Sequence, residues 1–228
     1  MRAARAYAGA TELRIERVPV PELGPDDVLV RVAAAGLTPV IMKQLAFGRY
    51  RHLPTTPGHE IAGTVVEVGG AVDTGWLDQR VRVHPMLSCG RCQRCRTGRE
   101  QTCAEAAMLG GGGFGTGPMT LYARYHDGGL ADYVRAPSWL LDTLPAGVSF
   151  DVGAKLHDLG NAVNALRAVE LPLGGTLAVS AATGTMGTAV AKLAPFFGAG
   201  RLVLIGRSRK RLEAVAGLTG QLAVDLVA

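Results

Sequence analysis

Several stretches of residues 1–149 alternate apolar and polar positions, the period of a strand with one face buried. Residues 1–35 read as strands with a turn at "PELGPDD" (21–27), and Thr11 to Val20 alternates within them. "EIAGTVVEVG" (60–69) is a β-branched run broken at Gly63, "DQRVRVHP" (78–85) sets Val81 and Val83 on one face, and "GGLADYVRAP" (128–137) is again strand-like. "MLGGGGFGTGPM" (108–119) is a glycine-rich connector. These stretches predict an all-β first domain with long loops. From residue 150 the period lengthens. "FDVGAKLHDLGNAVNALRAVEL" (150–171) carries Leu156, Leu159, Val163, Leu166 and Val169 at helical spacing. Three apolar runs, "GTLAVSA" (175–181), "RLVLIG" (201–206) and "QLAVDLV" (221–227), then alternate with two helical stretches, 185–199 and 208–218. Strand–helix–strand–helix–strand predicts a parallel sheet. The chain therefore divides into 1–149 and 150–228, with no internal repeat.

Composition changes this picture little. A hydrophobic fraction of 48% suits a packed fold. The net charge of +5 is modest, but arginines cluster at 91–99 and 201–211. Few aromatic residues lie near these clusters and no nucleic-acid module is recognisable, so a small phosphorylated ligand explains them better than nucleic acid. No stretch approaches the ~18 consecutive apolar residues of a membrane span. The arginine-rich N-terminus lacks the apolar run of a signal peptide. The expectation is a soluble, cytoplasmic chain whose thiols stay reduced.

All four cysteines lie in "CGRCQRCRTGREQTC" (89–103), as Cys89, Cys92, Cys95 and Cys103. Clustered thiols in a reducing compartment bind metal more often than they bridge. Four thiolates suit a tetrahedral zinc and leave no position for substrate, so such a site is structural. Arg91, Arg94, Arg96 and Arg99 offset the negative charge of a four-thiolate zinc, and Gly90 and Gly98 permit tight turns around an ion. A Cys89–Cys92 disulfide, a redox Cys-x-x-Cys and an iron–sulfur cluster are the alternatives. The Gly, Arg and Gln surroundings do not resemble the helix start that a redox pair uses.

"LAVSAATGTMGTAVAKLA" (177–194) places Gly184, Thr185, Met186 and Gly187 between a strand and a helix, where backbone amides and the helix dipole can receive a pyrophosphate. Ala181 stands where the first glycine of a dinucleotide fingerprint usually falls. A cofactor without a 2′-phosphate usually meets a carboxylate at the end of the second strand. Here that strand runs into Gly206, Arg207, Ser208, Arg209, Lys210 and Arg211. Arg207, Ser208 and Arg211 are placed to hold a phosphate, and cations at a helix start otherwise oppose the macrodipole. This pattern favours NADP(H) over NAD(H).

Together, "AAAGLTPV" (33–40), "PGHEIAGTVVEVG" (57–69), "DQRVRVHP", the cysteine loop, "DGGLADYV" (127–134) and "TGTMG" (183–187) resemble the medium-chain dehydrogenase/reductase family, whose best-known branch is the zinc alcohol dehydrogenases. The resemblance covers essentially the whole chain. It implies an α/β plus β fold: a GroES-like catalytic domain over 1–149, with a structural zinc lobe at about 86–106, then a linking helix and the first half of a Rossmann NADP-binding domain over 150–228. Cys89, Cys92, Cys95 and Cys103 match the family's structural zinc ligands.

The resemblance fails at the catalytic zinc. The first cysteine ligand of the zinc branch falls at Thr38, the hydroxyl of the proton relay at Val40 and an acidic residue at Ile41. "GLTPVIMK" is instead similar to the segment of quinone and enone reductases, which work without catalytic zinc. Yet His59 and Glu60 match the zinc branch, and His157 falls at the third ligand position. Two readings stand. His59, Glu60 and His157 hold a zinc that polarises a carbonyl, with Thr38 bonding the bound oxygen. Alternatively, no zinc is held and an activated C=C is reduced by NADPH, with His157 or solvent supplying the proton.

A full dinucleotide-binding domain has six strands, and three are legible here. The expectation is a chain equivalent to the N-terminal part of an enzyme, with an exposed hydrophobic edge at "LAVDLV". The leading function is an NADP(H)-dependent alcohol dehydrogenase or carbonyl reductase acting on a small alcohol, aldehyde or ketone. The alternatives are a zinc-independent enone or quinone reductase and a non-catalytic, zinc-stabilised fragment. Possible partners are a second copy or a completing chain.

Overall fold

A computed structural model describes all of residues 1–228. The chain divides into two compact units, Met1–Lys155 and Leu156–Ala228.

The first unit is mostly β. Strands β1 (Arg2–Arg5) and β2 (Arg14–Arg17) pair as an antiparallel hairpin. Strand β3 (Asp27–Ala35) leads into helix α1 (Pro39–Ala46), then strands β4 (Ile61–Val68), β5 (Arg80–Val83) and β6 (Met86–Leu87). The cysteine loop contains helix α2 (Gln93–Arg96) and is followed by strand β7 (Ala107–Met108). Helix α3 (Thr120–Arg124) and strands β8 (Tyr133–Pro137) and β9 (Leu141–Thr143) complete the unit. One five-stranded antiparallel sheet, in the order β8-β3-β4-β5-β9, carries the core. Val28, Val30, Ile61, Val65, Val81, Val83 and Val134 are buried together, the inward set that the alternation predicts. Gly63 breaks the β4 run for a steric reason: a Cβ there would lie 2.1 Å from the Arg31 carbonyl oxygen of the neighbouring strand.

The unit is not purely β, as the alternation implied. Helix α1 begins with Thr38 in an extended N-cap conformation and Pro39 in the first turn, a position where proline costs no hydrogen bond. It buries Ile41 and Leu45, a single i, i+4 pair too short to stand out as a helical period.

Helix α4 (Phe150–Val169) contains the boundary between the units. In the second unit, strands β10 (Thr176–Val179), β11 (Arg201–Ile205) and β12 (Ala223–Val227) alternate with helices α5 (Thr185–Leu193) and α6 (Arg209–Ala216). The strands are parallel in the order β10-β11-β12. Leu177, Val179, Leu202, Leu204, Leu212 and Val215 form its core, joined by Leu166 of α4. Val169, expected on the helix's apolar face, is exposed at its end. β12 is an edge, as expected, but β10 is a second edge, because a sheet laid down one strand at a time in one direction leaves its first strand open as well. An ion pair between Arg201 and Asp225, 2.6 Å long, ties β12 to β11.

Candidate functional site

The cysteine loop folds its four sulfurs into one cluster. The Sγ–Sγ separations are 3.5 Å for Cys92–Cys95, 3.6 Å for Cys89–Cys103, and 3.9 Å for both Cys89–Cys95 and Cys92–Cys103. All four sulfurs lie within 4.8 Å of one another. A tetrahedron of thiolates at the zinc–sulfur distance of 2.3 Å has edges of about 3.8 Å, so the donor set fits a closed four-thiolate ion. Gly90 and Gly98 both adopt left-handed φ, 67° and 70°, which lets the loop double back twice. The amides of Arg91 and Cys92 pull the Cys89 thiol down to about 6. The Cys95 amide lowers Cys92, whereas burial pushes Cys95 up to about 11. The sulfurs thus differ in readiness, and a metal must displace at least the Cys95 proton at neutral pH. The Glu105 amide points at the Cys103 sulfur from 3.3 Å. Arg91, Arg94, Arg96 and Arg99 are all exposed around the loop.

Thr38, His59 and Glu60 are all buried polar residues of the first unit. Glu60 begins the run into β4, and its carbonyl accepts from the Gly36 amide at 2.9 Å. Its carboxylate is gripped on both oxygens by the Lys155 ammonium, at 2.7 and 2.9 Å. Glycine is needed at 36 because a Cβ there would fall 1.7 Å from Glu60 Oε2. The Thr38 hydroxyl is buried with no hydrogen-bond partner, an unusual state for a buried oxygen. Val40 and Met42 of α1 are exposed. Lys155 is the residue that the sequence reading missed. It lies 95 residues from its partner, in a stretch read for apolar spacing and for His157.

The proposed catalytic zinc set of His59, Glu60 and His157 meets an obstacle here. Its only carboxylate already carries an ammonium, and Thr38 supplies a neutral hydroxyl where a thiolate ligand would stand, so the first unit's residues do not fit a zinc. His157 belongs to the second unit, on α4, where its Nε2 lies 3.3 Å from the Asn161 amide nitrogen.

At the nucleotide-type turn, Ala181 takes a left-handed φ of 49°, the conformation its fingerprint position demands and one that glycine adopts without strain. Gly184 is the N-cap of α5, and no side chain caps that helix. Thr185 and Met186 are exposed at its start. Gly187 is buried, and a Cβ there would meet the Ala181 carbonyl oxygen at 2.5 Å, so its role is close helix–turn packing. At the end of β11, Ser208 is the N-cap of α6, and its side chain makes no capping bond. The first turn of α6 holds no acidic residue. Arg209 pairs with Glu213 at 3.4 Å, while Arg207 and Arg211 are exposed cations without an ion pair.

No helix of the chain is long and apolar enough to cross a membrane. Residues 24–146 match the alcohol dehydrogenase GroES-like domain family. The sorbitol dehydrogenase of Bacillus subtilis (strain 168) is 30% identical over 207 residues, covering 89% of this chain and 55% of the relative. A protein of Sinorhizobium meliloti 1021, described as a zinc-binding dehydrogenase and solved with NADP bound, superimposes with a TM-score of 0.84 at 28% identity, over 98% of this chain and 61% of its own. The cobalt- and zinc-bound thermostable alcohol dehydrogenase of Pyrobaculum aerophilum gives a TM-score of 0.84 at 27% identity, over 99% of this chain and 65% of its own. The chain thus spans little more than half the length of the curated relative it matches. With the antiparallel first unit, the parallel βαβαβ second unit and the four-cysteine loop all in place, the chain belongs to the alcohol dehydrogenase GroES-like domain family, among the zinc alcohol dehydrogenase-like medium-chain proteins.

Proposed function

We propose that this chain carries the catalytic domain and the adenosine-binding half of an NADP(H)-linked oxidoreductase acting on a small alcohol/carbonyl couple. The observation that carries the reading is the end of β11. Exposed Arg207 and Arg211 and a Ser208 hydroxyl that makes no capping bond lie at a helix start whose first turn holds no acidic residue. The NADP held by the Sinorhizobium meliloti protein supports the same choice.

In this reading the amides of Thr185, Met186 and Gly187 receive the pyrophosphate at the start of α5, where the helix dipole favours negative charge. Arg207 and Arg211 take the 2′-phosphate, with Ser208 donating to one of its oxygens. The bound cofactor supplies or accepts the hydride. Thr38, a buried hydroxyl lacking a partner, donates to or accepts from the substrate oxygen. The cysteine loop holds a structural zinc through Cys89, Cys92, Cys95 and Cys103, which braces the loop and takes no part in the chemistry. Reduced thiols in that role call for a reducing compartment such as the cytoplasm.

A second reading is favoured by the Glu60–Lys155 ion pair: a zinc-independent NADPH reductase of conjugated ketones or quinones. For a conjugated ketone, bound NADPH would supply hydride at the β-carbon, and solvent or His157 would supply the proton that the resulting enolate takes up at its α-carbon to give the saturated ketone.

The cofactor site is tested by Arg207→Ala. This variant is expected to weaken NADPH binding roughly tenfold while leaving NADH binding nearly unchanged. Equal weakening of both would contradict the phosphate site. Oxidation of NADPH against a panel of aldehydes, ketones and enones separates the two chemistries, and silence on every substrate points to a non-catalytic module.

A further inference from the structure

We propose that the ammonium of Lys155 is the resident cation of the buried Glu60 carboxylate, and that the chain accordingly holds no zinc beyond that of the cysteine loop. The proposal refines the oxidoreductase reading at that reading's own site, but the metal count that tests it does not depend on nucleotide binding.

Glu60 is only 1% exposed, and a carboxylate so buried stays ionised only beside a positive charge or a set of donors. Lys155 provides that charge symmetrically, within hydrogen-bond distance of both oxygens. The backbone is shaped to the pair. Residue 36 has no side chain because Glu60 Oε2 occupies the place of its Cβ, and the Gly36 amide is bonded to the carbonyl of Glu60 itself. Glu60 is therefore fixed at both its backbone and its carboxylate.

A zinc taking Glu60 as ligand would have to displace this ammonium or lie a few ångströms from it, where two cations repel beside the buried carboxylate. The remaining first-unit donors add no negative charge: His59 offers an imidazole and Thr38 a hydroxyl, whereas a zinc site gains from thiolate or carboxylate charge. The glutamate, which sequence alone offers as a metal ligand, serves instead to seat a lysine.

The test is metal analysis of the full 228-residue chain by mass spectrometry, together with cobalt replacement. The expected load is about one zinc per chain, and every bound cobalt should show the intense sulfur-to-metal absorption of a four-thiolate site. Zinc in excess of that load, or a second cobalt with only weak absorption, would overturn the proposal. Lys155→Met should lower the melting temperature by roughly 10 °C, because it strands a buried carboxylate. Adding Glu60→Gln should recover most of that loss, because an amide needs no counter-charge. If Lys155→Met does not fold, the Glu60→Gln/Lys155→Met pair is expected to fold with the wild-type metal load. A Lys155→Met chain as stable as wild type, or a double variant less stable than Lys155→Met, would contradict the ion pair's assigned role.

Discussion

Two small residues set the local geometry of the candidate sites from opposite directions. At Gly36 the chain lacks a side chain because a neighbour's carboxylate fills the space. Gly36→Ala should cost roughly 1–3 kcal/mol by pushing Glu60 off Lys155, measurable as a shifted urea midpoint. At Ala181 the chain keeps a Cβ where the backbone is left-handed. Ala181→Gly removes that strain but gives the unfolded chain more freedom, so the net gain should be at most about 1 kcal/mol. A melting temperature lowered by Ala181→Gly would mean that unfolded-state freedom outweighs any strain the turn imposes on Ala181. The glycine turn was legible in the sequence because its residues are contiguous. The Glu60–Lys155 pair was not, because nothing in a helical stretch of small and apolar residues marks one lysine as facing a strand start far back in the chain.

Among the elements, α3 and the residue after it are locked to the start of β3 by one buried acid. Asp27 accepts from the Tyr125 hydroxyl at 2.6 Å, the Gly24 amide at 2.8 Å and Arg124 at 3.1 Å. Burial alone would push its carboxyl up, but these donors and the Arg124 charge outweigh burial and hold it below the usual carboxylate range. Because the folded value lies below the unfolded one, the ionised acid's contribution is fully present above about pH 5. It is lost as pH falls through the lowered folded value. Urea midpoints measured from pH 7 down to pH 3 should therefore fall below about pH 4, and Asp27→Asn should be less stable at pH 7 and flatter across that range. An equally steep acid limb in Asp27→Asn would assign the effect to other groups. The long strands and both βαβ helices were readable from period alone. Strand β5 was legible in the alternation of Val81 and Val83, but helix α1, strand β9 and the short pair β6–β7 were not, because two or three residues in register carry no period.

At the scale of the whole molecule, the two units were legible to different degrees. The parallel order β10-β11-β12 is that of the first half of a dinucleotide-binding sheet, which places the turn at Gly184 and the cations after Ile205 at the strands' carboxyl ends, where such sheets bind ligands. That arrangement follows from chain order once the strands are identified. The metal lobe also followed from spacing, and the sulfur geometry supports it. Chelation should loosen the lobe selectively: removing zinc should raise hydrogen exchange across 86–108 before it affects the five-stranded sheet, whose core does not include the cysteines. Loss of the whole first unit on chelation would show that the sheet depends on the metal. The second unit is proposed to recognise a dinucleotide bearing a 2′-phosphate, and calorimetric titration of the folded chain with NADPH and with NADH in the same buffer tests this most directly. Saturable NADPH binding at least about tenfold tighter than NADH is expected; NADH binding as tightly, or neither dinucleotide binding, would contradict a 2′-phosphate site.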